Sequence, residues 1–315
     1  MKIIERVLKN KIMATDVYIC LASEKIPEDE MQADADKIID QMKDFEQKYS
    51  RFIPNNYLSN LNESEIFEAS EDLLELIEAG ESYYKKTQGL FDPTIHNYLV
   101  NEGYNVSKNQ GFYDKSIKPI EEIKKFNFSD ININYQTKII RKPKGLKIDF
   151  GGIGKGYIVD KTTKWVSQKY MDFCIDAGGD MFLGGTDRIN KYPYWAIEIE
   201  NPLEEKPDTL LPTLLVKDLA IATSGIGKRV WQKDGETKTH IIDPKTHKSV
   251  QNDLLSVTVI GNNTVYADIY AKTLLLLGGK DGLKYCNIGK IPAVFLTKFG
   301  EVLISKEMKK YVWQK

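Results

Sequence analysis

The strongest constraint on the fold of this chain is a glycine-rich segment between an apolar run and a helical pattern. Leu146 to Phe150 predict a β-strand, residues 151–156 read GGIGKG, and Tyr157 to Tyr170 predict a helix. A strand that turns through glycines into a helix N-terminus exposes backbone N–H groups to a phosphate or another ligand. Lys155 adds positive charge there. The segment therefore predicts either a ligand site or a tight turn that needs small residues for packing.

Two familiar nucleotide-binding patterns do not match this segment. The P-loop pattern requires Ser or Thr after its lysine, where this chain has Gly156, and glycine at the position of Asp149. The dinucleotide fingerprint G-x-G-x-x-G also fails, because the glycine after Gly152 and Gly154 comes one residue too early. The segment by itself assigns no nucleotide class.

Charge and composition exclude several classes of protein. Lys plus Arg number 44 and Asp plus Glu number 45 over 315 residues, so the chain has no overall basic character suited to nucleic acid or an anionic membrane. The three cysteines form no CxxC pair, which argues against zinc or dithiol sites and suits a reducing compartment. The N-terminus lacks a signal-peptide pattern, and no apolar run is long enough for a transmembrane segment. We therefore expect a cytoplasmic protein.

Helical and strand patterns mix along the chain without strict alternation, which predicts an α+β fold. Since no low-complexity linker or composition change marks a boundary, we expect a single domain over residues 1–315. Helices are expected at about residues 27–49, 71–87, 157–170 and 266–277. Strands are expected at 17–21, 138–140, 146–150, 173–176, 195–199, 213–222, 256–260, 293–296 and 302–304.

Six short motifs carry a family resemblance through their joint order. They are GLFDPT (89–94), DFGGIGKGY (149–157), DAGGD (176–180), ATSG (222–225), HIIDP (240–244) and the AD-x-x-A pattern that leads into LLLLG (267–278). Over roughly residues 13 to 305, this series resembles the ApbE family, the FAD:protein FMN transferases. The resemblance implies mixed sheets packed with helices, and a flavin cleft between two lobes of the domain.

The resemblance also implies a reaction. FAD is the substrate, and a Thr or Ser hydroxyl of an acceptor protein attacks the pyrophosphate on its FMN side. AMP leaves, and Mg²⁺ neutralises the phosphate charge. Positioning and charge neutralisation provide most of the catalysis in phosphoryl transfer. Two alternatives remain open at this point: a pyrophosphatase that splits FAD into FMN and AMP, and a non-catalytic FAD-binding protein.

The matching positions give a set of expected site residues. The resemblance implies catalytic roles for His240 as the general base, for Asp268 and for Lys155; a core histidine is the alternative for His240. Glu102 departs from the family, which has Trp at the start of this W-G-F segment. His96 and His247 are expected on the surface. The residues expected to contact FAD are Met13, Phe52, Asp92, Thr94, Glu102, Gly103, Tyr104, Gly151, Tyr157, Ser224 and Ile242.

The implied metal site contains the largest departure from the family. The resemblance assigns the metal to the backbone carbonyl of Gly154, to Asp268, and to a Thr four residues later, where this chain has Lys272. An ammonium cannot ligate a cation, but at i, i+4 it can pair with the carboxylate. Three hypotheses follow: Mg²⁺ still binds through Asp268, Gly154, water and phosphate; the ammonium replaces Mg²⁺; or the chain has lost the transfer reaction.

Overall fold

A β-hairpin begins the folded chain and leads into its largest sheet. The computed structural model describes residues 3–107, 110–120, 123–188, 190–203 and 210–314. The strands are β1 (Ile4–Ile12), β2 (Thr15–Ser23), β3 (Ile66–Glu68), β4 (Asn132–Asn134), β5 (Ile139–Arg141), β6 (Asp172–Ala177), β7 (Met181–Gly184), β8 (Trp195–Glu198), β9 (Thr213–Val216), β10 (Leu219–Gly225), β11 (Val230–Lys233), β12 (Glu236–Thr239), β13 (Ile242–Asp243), β14 (Lys248–Ser249), β15 (Leu254–Gly261), β16 (Ala293–Thr297) and β17 (Val302–Ile304). The α-helices are α1 (Glu28–Tyr49), α2 (Tyr57–Glu63), α3 (Glu71–Lys86), α4 (His96–Asn101), α5 (Gly154–Val166) and α6 (Thr264–Gly289).

The chain divides into two compact units, each built from separate stretches of sequence. The first unit comprises Met1–Phe45, Lys155–Gly227 and Asn252–Lys315. The second unit comprises Glu46–Gly154 and Lys228–Gln251. The single domain over residues 1–315 that the sequence predicts stays a prediction.

The first unit is built on an eight-stranded antiparallel sheet. Its strand order is β1-β2-β6-β7-β10-β15-β16-β17. Helix α6 packs on β10 and β15, and every residue of β16 is buried. Strand β16 is therefore covered on both faces, and α6 buries apolar residues against the strands on which it packs. The fold is α+β, which confirms the prediction.

Helix α6 extends beyond its predicted end. The sequence predicts that the helix ends at Gly278-Gly279, and Gly278 does interrupt it, with φ 79° and ψ 173°. Only glycine adopts these angles without strain, so the chain kinks at this residue. The helix then resumes and continues to Gly289.

The N-terminus of α6 is tied to α5 by a carboxylate and a glycine. Asp160 accepts hydrogen bonds from the backbone N–H groups of Thr264 at 2.6 Å and Val265 at 2.9 Å. Asp160 therefore satisfies two N–H groups that a helix start leaves unpaired. A Cβ on Gly156 would lie 2.9 Å from the backbone of Val265, so this approach requires glycine. The contact fixes the two helices that carry Lys155 and Asp268.

The second unit contains small sheets and short helices. Strands β3, β5 and β4 form a three-stranded sheet, while β11–β12 and β13–β14 form two hairpins. Helix α3 begins where the sequence predicts, because the Ser70 side chain accepts the backbone N–H of Leu73. No helix in the described ranges is long and apolar enough to cross a membrane.

The sequence predicts a strand at residues 146–150, and this prediction is wrong. The segment is mostly buried, but it has no regular secondary structure and joins no sheet. Its backbone bonds to other partners: the Asn62 amide accepts the N–H of Ile148 at 2.8 Å and donates to its carbonyl at 2.9 Å, and Asp149 donates its N–H to the carbonyl of Pro93 at 2.8 Å. Buried backbone groups must be paired, and here a side chain replaces a neighbouring strand.

Candidate active site

The first unit brings two lysines and two buried carboxylates together, at the start of α5, after β6 and on α6. The ammonium of Lys155 pairs with Asp180 Oδ2, and that of Lys272 pairs with Asp268 Oδ1. Both carboxylates are almost fully buried, with side-chain exposures of 1% for Asp180 and 2% for Asp268. We call these four residues the charged cluster. The ion pair that the i, i+4 spacing predicts is present.

Burial dominates the electrostatics of the charged cluster. Burial first, and then the negative charge of Asp180, raise the pKa of Asp268, while Lys272 and Lys155 oppose that shift. Next to the cluster, burial raises the pKa of Asp176 from its ordinary 3.8 to about 6. These shifts follow from removing carboxylates from water. The two ammoniums therefore offset part of the cost of burying this acidic group of residues.

The charged cluster fits Mg²⁺ poorly. Asp268 Oδ2 and Asp180 Oδ1 are buried and have no hydrogen-bond partner among the described residues, so two oxygens remain for a cation. Mg²⁺ requires near-octahedral oxygen coordination, and an ammonium cannot be a ligand. In the parts of the chain that the structure describes, no three His, Cys, Asp or Glu side chains are arranged to hold a metal. Lys272 therefore closes the position at which a third ligand is expected.

The second unit assembles an aromatic cluster of Phe52, Tyr104, Trp231 and His240, and the guanidinium of Arg51 packs on two of its rings. Arg51 Cζ lies 4.2 Å from the ring centroid of Phe52 and 4.3 Å from that of Tyr104. The two rings are 5.4 Å apart at 61°, so the guanidinium fills the corner between them. The His240 ring meets Tyr104 edge-on at 6.3 Å, and Trp231 stacks on Tyr104 at 5.5 Å. Three residues predicted separately, Phe52, Tyr104 and His240, thus belong to one cluster.

A buried ion pair connects the aromatic cluster to the glycine-rich turn. Arg51 Nε lies 2.9 Å from Asp149 Oδ2, and the two side chains are 8% and 6% exposed. Asp149 Oδ1 accepts the backbone N–H of Gly151 at 2.6 Å. The sequence alone predicts no role for Arg51 or Asp149. The sequence signal for a role of these two residues is their position next to predicted features: Arg51 precedes Phe52, and Asp149 begins the glycine-rich motif.

Glu102 occupies a site made for a carboxylate. Its Oε2 accepts the backbone N–H of Ser249 at 2.9 Å and lies 3.3 Å from the ammonium of Lys238. Its backbone carbonyl accepts Trp231 Nε1–H at 2.9 Å. A Cβ on the next residue, Gly103, would lie 2.6 Å from that same nitrogen. The carboxylate by which Glu102 departs from the family therefore has a backbone N–H and an ammonium as partners.

Asp92 and Thr94 form a local buried pair beside a small cavity. Asp92 Oδ1 accepts the backbone N–H of Thr94 at 2.8 Å and its hydroxyl at 2.7 Å, while burial raises the pKa of Asp92. A cavity of about 230 Å³ is lined by both residues and by Tyr98 and His247. These last two rings stack at 3.9 Å and 8°.

His96 and His247 are expected on the surface, and in the structure both side chains are half-buried. Burial lowers the pKa of His96 to about 4, and burial together with the charge of Lys125 lowers the pKa of His247. The polar residues next to these two histidines in the sequence do not indicate that the His247 ring stacks on Tyr98.

The remaining predicted residues lie on elements of one unit or the other. Met13 forms the turn between β1 and β2 in a left-handed conformation, with φ 55°. Ser224 is buried on β10, and the Tyr157 ring on α5 lies 5.8 Å from the ring of Phe45. In the second unit, Ile242 is buried on β13. Gly154 is the first residue of α5. Contacts of these residues with FAD stay predictions.

Comparisons with known proteins identify the family. A model of the ApbE family matches residues 13–295. The chain is 26% identical over 274 residues to the FAD:protein FMN transferase of Vibrio cholerae, covering 85% of this chain and 79% of that protein. The Escherichia coli K12 protein of the same name is 23% identical over 274 residues, covering 84% of this chain and 77% of its relative. The crystal structure of the ApbE protein from Thermotoga maritima superimposes with a TM-score of 0.84 at 25% identity, over 98% of this chain and 100% of that one. The resemblance that the sequence motifs indicate is confirmed, and the chain belongs to the ApbE family.

Proposed function

We propose that this chain transfers FMN from FAD to a Thr or Ser hydroxyl of an acceptor protein and releases AMP. One observation carries the proposal: the family match covers residues 13–295, which include the candidate base His240 and the buried acid Asp268. Relatives that align over most of this chain are named FAD:protein FMN transferases. These names support FAD as the substrate and a protein as the acceptor.

The proposed reaction is a phosphoryl-type transfer. The acceptor oxygen forms a bond to the phosphorus on the FMN side of FAD, and the bond from that phosphorus to the bridging oxygen breaks. The hydroxyl proton passes to the imidazole of His240, and AMP leaves with the bridging oxygen on its phosphate. An imidazole suits this step because its ordinary pKa lies near neutral pH. The ammonium of Lys155 neutralises part of the phosphate charge, and the carboxylate of Asp268 positions the ammonium of Lys272.

The aromatic cluster is the proposed binding surface for a planar ring of FAD. Phe52 is half-exposed in the second unit, with Arg51 against one part of its ring. A planar base stacks on such a ring without a particular hydrogen-bond pattern. Glu102, Gly103 and Tyr104 then act by holding this surface in place through Trp231.

The family resemblance also implies Mg²⁺, and the charged cluster argues against it. No step in the proposed reaction passes through a metal, because Lys272 already pairs with Asp268. The cytoplasm as the location and Thr or Ser as the accepting residue remain part of the proposal, based on the sequence.

A turnover assay with a protein acceptor tests the proposed function. Purified protein is incubated with FAD and a Thr-containing acceptor domain, and AMP is measured by chromatography while covalent flavin is detected as in-gel fluorescence. We expect AMP and labelled acceptor in equal amounts. An acceptor whose target Thr is replaced by Ala serves as the control and stays unlabelled.

Two other results would replace the proposal. Equal amounts of AMP and free FMN, with no labelled acceptor among several tested, would indicate an FAD pyrophosphatase. Bound FAD with no AMP under any condition would indicate a flavin-binding protein without this chemistry.

A further inference from the structure

We propose that the ammonium of Lys272 takes the place of a divalent cation, so that this chain cleaves FAD without added Mg²⁺. The inference rests on the proposed function, since it concerns the phosphate charge that such a cleavage must neutralise. Its starting observation is the ion pair between Lys272 Nζ and Asp268 Oδ1 on α6. Residues four apart share one face of a helix, so the pair is built into the helix itself.

The ammonium is the accessible member of this pair. The Lys272 side chain is 17% exposed and the Asp268 side chain 2% exposed. Nζ also lies 3.4 Å from the backbone carbonyl of Asp268. A phosphate that approaches this end of the charged cluster therefore meets a positive group before it meets the buried carboxylate.

The two ammoniums disfavour a divalent cation within the cluster. Lys155 and Lys272 each pair with one carboxylate, and Asp176 beside the cluster is the further acidic side chain. A divalent ion placed among them would face two fixed ammoniums. Two buried carboxylate oxygens of the cluster, Asp180 Oδ1 and Asp268 Oδ2, have no hydrogen-bond partner among the described residues. Since Mg²⁺ needs only one or two carboxylates besides water and phosphate oxygens, the obstacle is the ammonium that pairs with Asp268 and not the number of oxygens.

The ammonium can supply what a phosphate needs during cleavage. A lysine carries three N–H donors, and the two contacts of Lys272 with Asp268 leave one for a phosphate oxygen. A fixed cation that is already in place stabilises charge developing on the phosphates at no cost of reorganisation. The bonds formed and broken are those of the proposed reaction, with the ammonium serving only as counter-charge and donor.

Metal binding provides a test that does not depend on turnover. We would titrate Mn²⁺, as a paramagnetic substitute for Mg²⁺, into the wild-type chain, Lys272→Thr and Lys280→Thr, and detect bound ion by electron paramagnetic resonance. Lys280 is exposed on α6 and controls for the loss of one surface charge. We expect one new Mn²⁺ site in Lys272→Thr only, because that change removes the ammonium and adds a hydroxyl oxygen.

Turnover in EDTA and in excess MgCl₂ provides the second test. We expect the wild-type and Lys280→Thr rates of AMP release to agree within about twofold in the two buffers, as a built-in counter-charge requires. Lys272→Thr should lose at least about tenfold in EDTA and recover with MgCl₂. Lys272→Arg keeps the charge and should stay insensitive to EDTA, and melting curves would confirm that each variant is folded.

Three outcomes would overturn the inference: stoichiometric Mn²⁺ binding by the wild-type chain, loss of its turnover in EDTA, or a Lys272→Thr variant that matches wild type in both tests. A wild-type chain that binds FAD but releases no AMP in either buffer would instead contradict the proposed function. In that case the Mn²⁺ titration still decides whether Lys272 excludes a cation.

Discussion

The two units solve the problem of burying charge in different ways. In the first unit, Lys155 and Lys272 each face one carboxylate, and a further acid, Asp176, lies beside them. In the second unit, one guanidinium is shared between a carboxylate and two aromatic rings, at Asp149, Phe52 and Tyr104. The first arrangement gathers excess acid that costs free energy, whereas the second distributes one cation over several partners.

This difference indicates which substitutions each unit tolerates. Removing one member of a buried ion pair leaves an uncompensated charge, which is among the most costly single changes in proteins. Replacing one aromatic ring by another keeps both the stacking surface and the hydrophobic burial. We therefore expect conservative changes to be tolerated at aromatic positions. We expect changes of charge to lower the stability of the folded chain in both units.

Replacement of His240 should have the largest effect. His240→Gln keeps a planar polar side chain beside Tyr104 but cannot take up a proton, so we expect transfer to fall by about 10²- to 10⁴-fold. FAD affinity, measured by quenching of flavin fluorescence, should change little. A variant that loses FAD binding and turnover together would instead place His240 among the ring-binding residues and weaken its assignment as the base.

The Arg51–Asp149 pair should dominate the stability of the second unit. Arg51→Leu leaves the buried Asp149 without its cation, and we expect a loss of about 3–5 kcal/mol in the free energy of unfolding. The double variant Arg51→Leu/Asp149→Asn should recover part of that loss, because it leaves no buried charge. Urea denaturation measures both. A single variant as stable as wild type would show that the rings alone hold this corner of the unit.

The sequence predicted which helices and strands form better than it predicted where they end and which groups their backbone bonds to. Helix α3 begins at Glu71 as predicted, because the Ser70 side chain that caps it is a local signal. The segment 146–150 failed as a strand because its partner is the Asn62 side chain, 86 residues away from Ile148. Hydrophobic periodicity predicts which residues are buried, but it does not predict which groups form hydrogen bonds with their backbone.

The candidate site shows the same limit. The pair of Asp268 and Lys272 followed from helical spacing, whereas the pair of Lys155 and Asp180 joins residues 25 positions apart on different elements. Likewise, nothing local to Glu102 indicates that Ser249 and Lys238 would hold its carboxylate. Motif positions could be located by family resemblance, but their charge partners required the folded chain.

The ring of Phe52 tests whether the second unit tolerates conservative change. Phe52→Ala removes the proposed stacking surface, and we expect FAD affinity to fall by about 1–3 kcal/mol. Phe52→Tyr should bind FAD as wild type does, because the ring and the contact with Arg51 persist. Isothermal titration with FAD measures both variants. Equal weakening by the two changes would contradict a stacking role, since only one of them removes the ring.

Asp176 tests the cost of excess acid in the first unit. Burial raises its pKa from 3.8 to about 6, so between these pH values the folded chain holds a proton that the unfolded chain has released. Stability from this group is therefore lost as pH rises through that window, by about 3 kcal/mol when complete. Asp176→Asn keeps the acceptor for the N–H of Gly179 and removes the charge, so the variant should be more stable than wild type above pH 6 and converge with it towards pH 4. Melting curves across that range, with the exposed Asp281→Asn as the control, measure the difference. A stability difference between variant and wild type that is the same at every pH would contradict a cost of burying the Asp176 charge. The contrast between the two units would then depend only on the paired residues.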